Sequence, residues 1–189
     1  MKREIRVLGI DDTSFSRKDR EVLLIAPFFR GGTVMDGMLT AKIDRDGDNA
    51  TLKIIEMVNK SKFKPQIRAI LLNGIAFGGF NVVNIHSINK NTSIPVITII
   101  RRNPDFESIK ATLQKLGMEK KYTLMELAGK PKNIKTKHGT VWFQYAGCTE
   151  KQAAEIITLT STHSNIPEPI RIAHLIGQGL MLGESSGGA

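Results

Sequence analysis

Between Glu4 and Asp44 the chain reads three times as strand and not once as helix, and only afterwards does a helical period appear. Glu4-Ile5-Arg6-Val7-Leu8-Gly9-Ile10-Asp11-Asp12 first alternates polar and apolar, then closes in a short apolar run ending on two aspartates. Glu21 to Phe29 reads as a second strand, in which Pro27 requires an edge position or a bulge because proline lacks a ladder donor. Gly31-Gly32 supplies a turn, and Thr33 to Asp44 reads as a third strand interrupted by Gly37. Three strands in succession, two of them around a short glycine turn, predict an antiparallel meander.

The period then changes. Leu52, Ile55, Met57 and Val58 fall mostly on one helical face, with Asp48 or Asn49 as the cap. Ile67 to Leu72 is a buried strand by its apolar run, Val82 to Lys90 a helix, Pro95 to Ile100 a β-branched strand, and Phe106 to Leu116 a helix. The lysine-rich span 117–138 carries little pattern beyond a short helix at Tyr122 to Ala128. Thr140 to Tyr145 reads as a strand, Glu150 to Thr160 as a helix capped by Thr149, and a last helix follows Pro167 or Pro169. The expected class is α/β: a mixed sheet with helices on both faces, a three-strand antiparallel meander followed by strand-helix units. That order is the ribonuclease H-like layout, and a doubly wound flavodoxin-like sheet fits the same pattern. No linker or repeat divides residues 1–189, which are expected to form a single domain.

The 27 basic and 18 acidic side chains leave a formal charge of +9, which suits phosphate-rich partners as well as plain solubility. Basic residues gather from Lys60 to Arg68, at Arg101-Arg102 and from Lys115 through Lys137, away from the aspartates near Asp11 and Asp44 to Asp48. No apolar run approaches the length of a membrane span, and the charged start lacks the features of a secretory signal, so a cytoplasmic location with no membrane partner is expected. The lone Cys148 excludes an intrachain disulfide framework and a cysteine-based zinc site.

Four segments carry candidate chemistry. Asp11 ends a buried strand and so brings a carboxylate to the sheet rim, while Asp12 points to the opposite face and fits ordinary turn chemistry. Asp44-Arg45-Asp46-Gly47-Asp48 precedes a helix; capping explains one of its aspartates, and a calcium loop fails for want of glycine and glutamate at the required places. Asn73-Gly74 and Gly78-Gly79-Phe80-Asn81 follow a buried strand, where glycine lets the backbone approach a ligand. Phe77 and Phe80 can stack on bases or simply pack a helix on the sheet. Pro167-Glu168-Pro169 aims a helix on which Arg171 and His174 lie one turn apart on one face.

Together these segments resemble the archaeal endonuclease dU family, related to endonuclease V. The marks are Gly9-Ile10-Asp11-Asp12, Asp46-Gly47 with Ala50-Thr51, Gly74 with Gly79-Phe80-Asn81-Val82-Val83, and Pro167-Glu168-Pro169 with Arg171 and Ala173-His174. The resemblance covers nearly the whole chain. It implies a ribonuclease H-like fold and cleavage of DNA holding a deaminated base, assisted by magnesium, with manganese as the other candidate ion. Carried over, it makes Asp11, Asp46 or Asp48, and position 73 the metal and catalytic positions, and places His174 among the catalytic groups. Gly78, Gly79, Phe80, Asn81 and Arg171 would line the base pocket or contact the nucleic acid. The sequence departs from the family pattern at positions 49, 73 and 84, where asparagine stands in place of the expected aspartate. Asn73 keeps a carbonyl oxygen but brings no charge to a divalent ion. Three readings follow: a DNA endonuclease, a binding domain for DNA or RNA with reduced or no cleavage, and a small-molecule phosphate binder on a flavodoxin-like sheet.

Overall fold

The computed structural model describes residues 4–186. Nine strands and six α-helices form in the order β1 (Arg6–Asp12), β2 (Glu21–Arg30), β3 (Val34–Asp44), α1 (Ala50–Asn59), β4 (Ala69–Asn73), β5 (Ala76–Phe77), β6 (Asn81–Val82), α2 (Ile85–Thr92), β7 (Val96–Ile100), α3 (Phe106–Lys115), α4 (Glu119–Leu127), β8 (Lys132–Thr136), β9 (Gly139–Ala146), α5 (Glu150–Thr160) and α6 (Glu168–Leu182). Seven strands make one sheet in the order β3-β2-β1-β4-β7-β9-β8. The pairs β1 with β4 and β4 with β7 are parallel, and all other neighbours run antiparallel. The predicted meander is present as β1, β2 and β3, and the mixed sheet with strand-helix units follows it.

The two faces of the sheet bury two separate sets of side chains, as the strand period dictates. Leu8, Ile10, Leu24, Phe28, Ile70 and Leu72 pack against Ile54 and Val58 of α1 and Ile85 and Ile88 of α2. Val7, Phe29, Leu71, Ile97, Ile99 and Phe143 pack against Ala153, Ile156 and Ile157 of α5 and Ile170 of α6. Helices therefore cover both faces, and the parallel centre is closed to water, as parallel strands require.

Pro27 lies in an inner strand and not at an edge, opposite Met38; the register shift of β2 against β3 falls beyond it at Phe28/Phe29, and it is the ladder to β1 that lacks pairs at Ala26 and Pro27. The helix expected from Val82 starts later, because Asn84 caps it by accepting from the Ser87 amide and Asn81-Val82 pair instead with Ala76-Phe77. Strand β8 lies in the span where little pattern was legible. Its residues Lys132-Asn133-Ile134-Lys135-Thr136 form an edge with one ladder partner and a mostly exposed surface, so they carry almost no apolar signal.

Helix α6 crosses the middle of the sheet, and its seat is set by a residue without a side chain. A Cβ placed on Gly9 would meet the backbone carbon of Pro169 at 2.5 Å. Replacing Gly9 by alanine should therefore lower stability by about 1–3 kcal/mol through overpacking. Gly179→Ala in the same helix, where a Cβ meets nothing within 4 Å, should be neutral or stabilising by up to about 1 kcal/mol. Urea melts of the two variants against the parent chain check the pair.

Candidate active site at the strand rim

Strands β1 and β4 run parallel with Ile10 beside Leu72, so their next residues, Asp11 and Asn73, leave the sheet side by side. Both project to the face covered by α6. Pro169 on Gly9 and Gly177 against Thr13 bring that helix close along the same strand end, with His174 between the two contacts. Three side chains meet as a result. One oxygen of Asp11 accepts from the Asn73 amide Nδ2 at 2.9 Å and from the Asp12 backbone N–H at 3.0 Å. Its other oxygen lies 3.0 Å from Nδ1 of His174, which donates to the carboxylate. Asp11 is only 2% exposed, whereas Asn73 and His174 remain half-buried at the opening.

Asp12 turns to the other face, as the alternation demands, and accepts from the Gly78 backbone N–H at 2.6 Å. Burial pushes its carboxyl up to about 6 and the neighbouring Asp11 charge adds to this, against the opposing Gly78 hydrogen bond. Gly78 and Gly79 both hold positive φ, 53° and 91°, which lets their turn pass between Asp12 and Asp46. Asp46 in turn accepts from the Phe80 N–H at 2.9 Å and donates its own N–H to the Gly78 carbonyl at 2.8 Å.

The aspartates before α1 are not gathered around Asp11. A lysine instead binds the turn, mostly through its backbone. Lys121 of α4, 8% exposed, donates to the carbonyls of Asp46 and Gly47 at 2.7 Å each and stands 3.2 Å from the Asp48 carboxylate. Lys121 thus pairs with the Asp48 carboxylate, while the Asp46 carboxylate is held by the Phe80 N–H and stands 3.4 Å from Arg45. Asn81 is likewise structural. Fully buried, it donates to the Asp44 carbonyl and the Asn49 side chain and accepts from the Ala50 N–H, locking the start of α1. Asn49 and Asn84 each accept from a backbone N–H in these contacts, which asparagine does as well as aspartate.

Arg171 is engaged by Glu168, its Nε donating at 2.9 Å with a second bond from Nη2. Burial pushes the Glu168 carboxyl up, but the Arg171 guanidinium and His163 outweigh it and hold the carboxyl below its usual range. The guanidinium expected to reach a phosphate serves the start of α6 instead. Gly78 is buried and its N–H is taken by Asp12, so neither it nor Asn81 faces a ligand. Phe77 is fully buried in the core, while Phe80 is half-exposed.

Phe80 lines an apolar cleft of about 300 Å³ next to Asn73, together with Gly74, Ile75, Phe106, Met125 and Gln144. The sequence reading missed Lys121, Gln144 and the α3 and α4 side of this cleft. A signal for Lys121 exists: it lies four residues before Met125 and seven before Ala128, a charge on an otherwise buried stripe.

Among the described residues no three histidine, cysteine, aspartate or glutamate side chains gather into a group able to hold a metal ion. The rim trio supplies one carboxylate, and both of its oxygens already accept hydrogen bonds, one from the Asn73 amide. Magnesium takes several oxygens and draws on clustered carboxylate charge. As folded, Asp11, Asn73 and His174 do not fit that ion, and Asp46 and Asp48 do not complete the set.

This sheet order, with β1 and β4 parallel at the centre and Asp11 buried at the end of β1, is the ribonuclease H-like fold shared with endonuclease V. Endonuclease V of Ciona intestinalis, solved with a 24mer DNA containing an inosine, superposes with a TM-score of 0.62 at 13% identity, covering 94% of this chain and 86% of that one. The chain belongs to the endonuclease dU family, whose model matches residues 3–181. A protein of unknown function from Archaeoglobus fulgidus shares the fold at a TM-score of 0.83 and 38% identity, over 93% of this chain and 97% of its own. A UPF0215 protein of Methanothermobacter thermautotrophicus is 45% identical over 192 residues, covering 100% of this chain and 94% of that one. No helix among the described residues is long and apolar enough to cross a membrane.

Lys121→Met should cost about 2–3 kcal/mol, because two backbone carbonyls inside the fold lose a charged donor. Thermal denaturation measures this. For Asp12 the sign follows from a folded pKa raised from 3.8 to about 6. The folded chain holds this proton more tightly than the unfolded chain, so the contribution of Asp12 to stability is fully present at acid pH and is lost as pH rises through that window. Asp12→Asn should remove the decline and gain on the order of 2 kcal/mol relative to the parent above pH 6. Melts across the window, with parallel curves as the contrary outcome, decide it.

Proposed function

We propose that the chain is a DNA endonuclease acting beside a deaminated base, with the strand rim as its catalytic centre and the apolar cleft as the pocket for the extruded base. The observation that carries this reading is the convergence of Asn73 and His174 on Asp11 at the strand rim, with a cleft walled by Phe80 and Phe106 that begins at the next residue of the chain, Gly74. A base leaving the stack needs apolar and aromatic walls close to the reacting phosphate. Arg101 and Arg102 follow β7 at the same end of the sheet, both exposed, and Lys110 and Lys115 lie on α3 beyond them. Such a basic margin favours a phosphate backbone through counterion release.

Asp11 fixes the His174 ring through Nδ1, which leaves Nε2 as the nitrogen directed away from the carboxylate. A water placed there gives its proton to Nε2 as its oxygen bonds to phosphorus, and the bond from phosphorus to the departing sugar oxygen breaks. That oxygen takes a proton from solvent. Removal of a positioned general base costs about 10²–10⁴ in rate. Magnesium, or manganese, when bound would neutralise phosphate charge; the donor set here places no step on it.

A second reading has its own support. The Asn73 amide donates to the same Asp11 oxygen that a cation would need, which favours a member that binds DNA, or RNA, with weak cleavage or none.

Nicking of duplexes holding deoxyuridine, deoxyinosine or no lesion, with magnesium, manganese or chelator, tests both. Cleavage at the lesion that falls at least about 100-fold in His174→Ala supports the enzyme. Binding without cleavage, together with cleavage gained in Asn73→Asp, supports the second reading. If neither the parent chain nor Asn73→Asp cuts or binds any duplex, both are lost.

A further inference from the structure

At the opposite end of the sheet from Asp11 lies a larger cavity, about 540 Å³ in volume, beneath the amino ends of β1, β4 and β7. Arg6 at the start of β1 and Arg68 just before β4 stand side by side on its wall, the Arg68 N–H bonding the Arg6 carbonyl at 2.8 Å. Arg6 and Asp11 are five residues apart on one strand, so the two sites are separated by about 17 Å.

Arg6 is the anomaly. Its guanidinium Nε is shielded from water and has no hydrogen-bond partner. Among the described residues no carboxylate pairs with either arginine, and Arg68 makes a single bond, from Nη1 to the Pro65 carbonyl at 3.1 Å. A buried guanidinium Nε without an acceptor is a cost that folding alone does not explain. The rest of the wall is suited to an anion with a ring attached. Ile5, Pro95 and Ile156 give an apolar side, and Gln152 at the first turn of α5 keeps its amide N–H2 while its oxygen caps Thr149. Burial pushes the Cys148 thiol up, so this wall residue is neutral and does not repel an anion. Glu4 also borders the cavity, and the two arginines outnumber it.

We infer that this cavity is a second binding site, for a small phosphate monoester carrying an apolar or aromatic body, of nucleoside monophosphate size, with Arg6 and Arg68 as its phosphate clamp. Guanidinium forks match phosphate oxygens in pairs, and the volume lies in the range of ordinary small-ligand sites. The inference is independent of cleavage at the other rim.

Thermal shift and calorimetric titration of the full chain test it, with inorganic phosphate, a nucleoside monophosphate, the unphosphorylated nucleoside and a 5′-phosphorylated oligonucleotide as probes. The monophosphate should raise the melting temperature by about 5 °C or more near a hundredfold excess over Kd. Inorganic phosphate should act more weakly, and the nucleoside should do nothing. Arg68→Gln, an exposed position, should weaken monophosphate binding tenfold or more. Arg6→Gln should do the same while melting, without ligand, no lower than the parent chain. A monophosphate that gives no saturable shift, or binds Arg68→Gln unchanged, overturns the assignment. Equal binding of the nucleoside removes the clamp, and binding of the oligonucleotide alone reassigns the cavity to a strand end. A ligand-free Arg6→Gln chain that melts lower makes that arginine structural and removes the premise.

Discussion

The contact between Gly9 and Pro169 governs the geometry of the rim. Where Gly9 offers only hydrogens, the backbone of α6 comes down onto β1 far closer than a side chain would allow. Two prolines fix the angle of approach and Ile170 buries into the core directly after them. From that fixed start the helix period alone determines which residue faces the strand end, and His174 is the one that meets Asp11. The Glu168 to Arg171 pair, one turn earlier, strengthens the same start and explains why a buried carboxylate is tolerated there.

Charge is partitioned by the alternation of one strand. Asp11 and Asp12 are neighbours in sequence, yet one belongs to the rim with Asn73 and His174, and the other to the Gly78 turn. The turn before α1 is a third electrostatic unit. There a lysine supplies the positive charge from inside the molecule, ties α4 to the start of α1, and leaves the Asp48 carboxylate largely in solvent. The three asparagines at positions where the resemblance led one to expect aspartate divide in the same manner. Asn49 and Asn84 serve the starts of helices, and only Asn73 stands at the rim.

The meander and the parallel centre were legible because their strands bury full faces, and Leu8, Ile10, Ile70 and Leu72 announce this in the sequence. Asp11 could be placed at a rim for the same reason: burial stops where the strand ends. What could not be read was contact between segments far apart. The Asp46 to Asp48 turn looks like an ion site until Lys121 arrives from α4, and nothing in the local sequence of either segment names the other. Strand β8 escaped because an edge needs one partner and no apolar surface. The cleft beside Asn73 takes walls from β7, α3 and α4 and exists only once these helices pack. Asn73 was recognised as a departure, but that its amide would turn toward Asp11 depends on the register of β1 against β4.

Asp11 and His174 lie 163 positions apart along the chain. During synthesis the first strand leaves the ribosome long before the helix that completes its rim. A carboxylate made early must wait, solvated and without its histidine, until almost the whole sheet has been translated. Loop closure over such a span is slow relative to the hairpin of β2 and β3, so the rim is among the last parts of the fold to assemble. Truncated products released on the way carry the fold's central strands without the contact between Asp11 and His174.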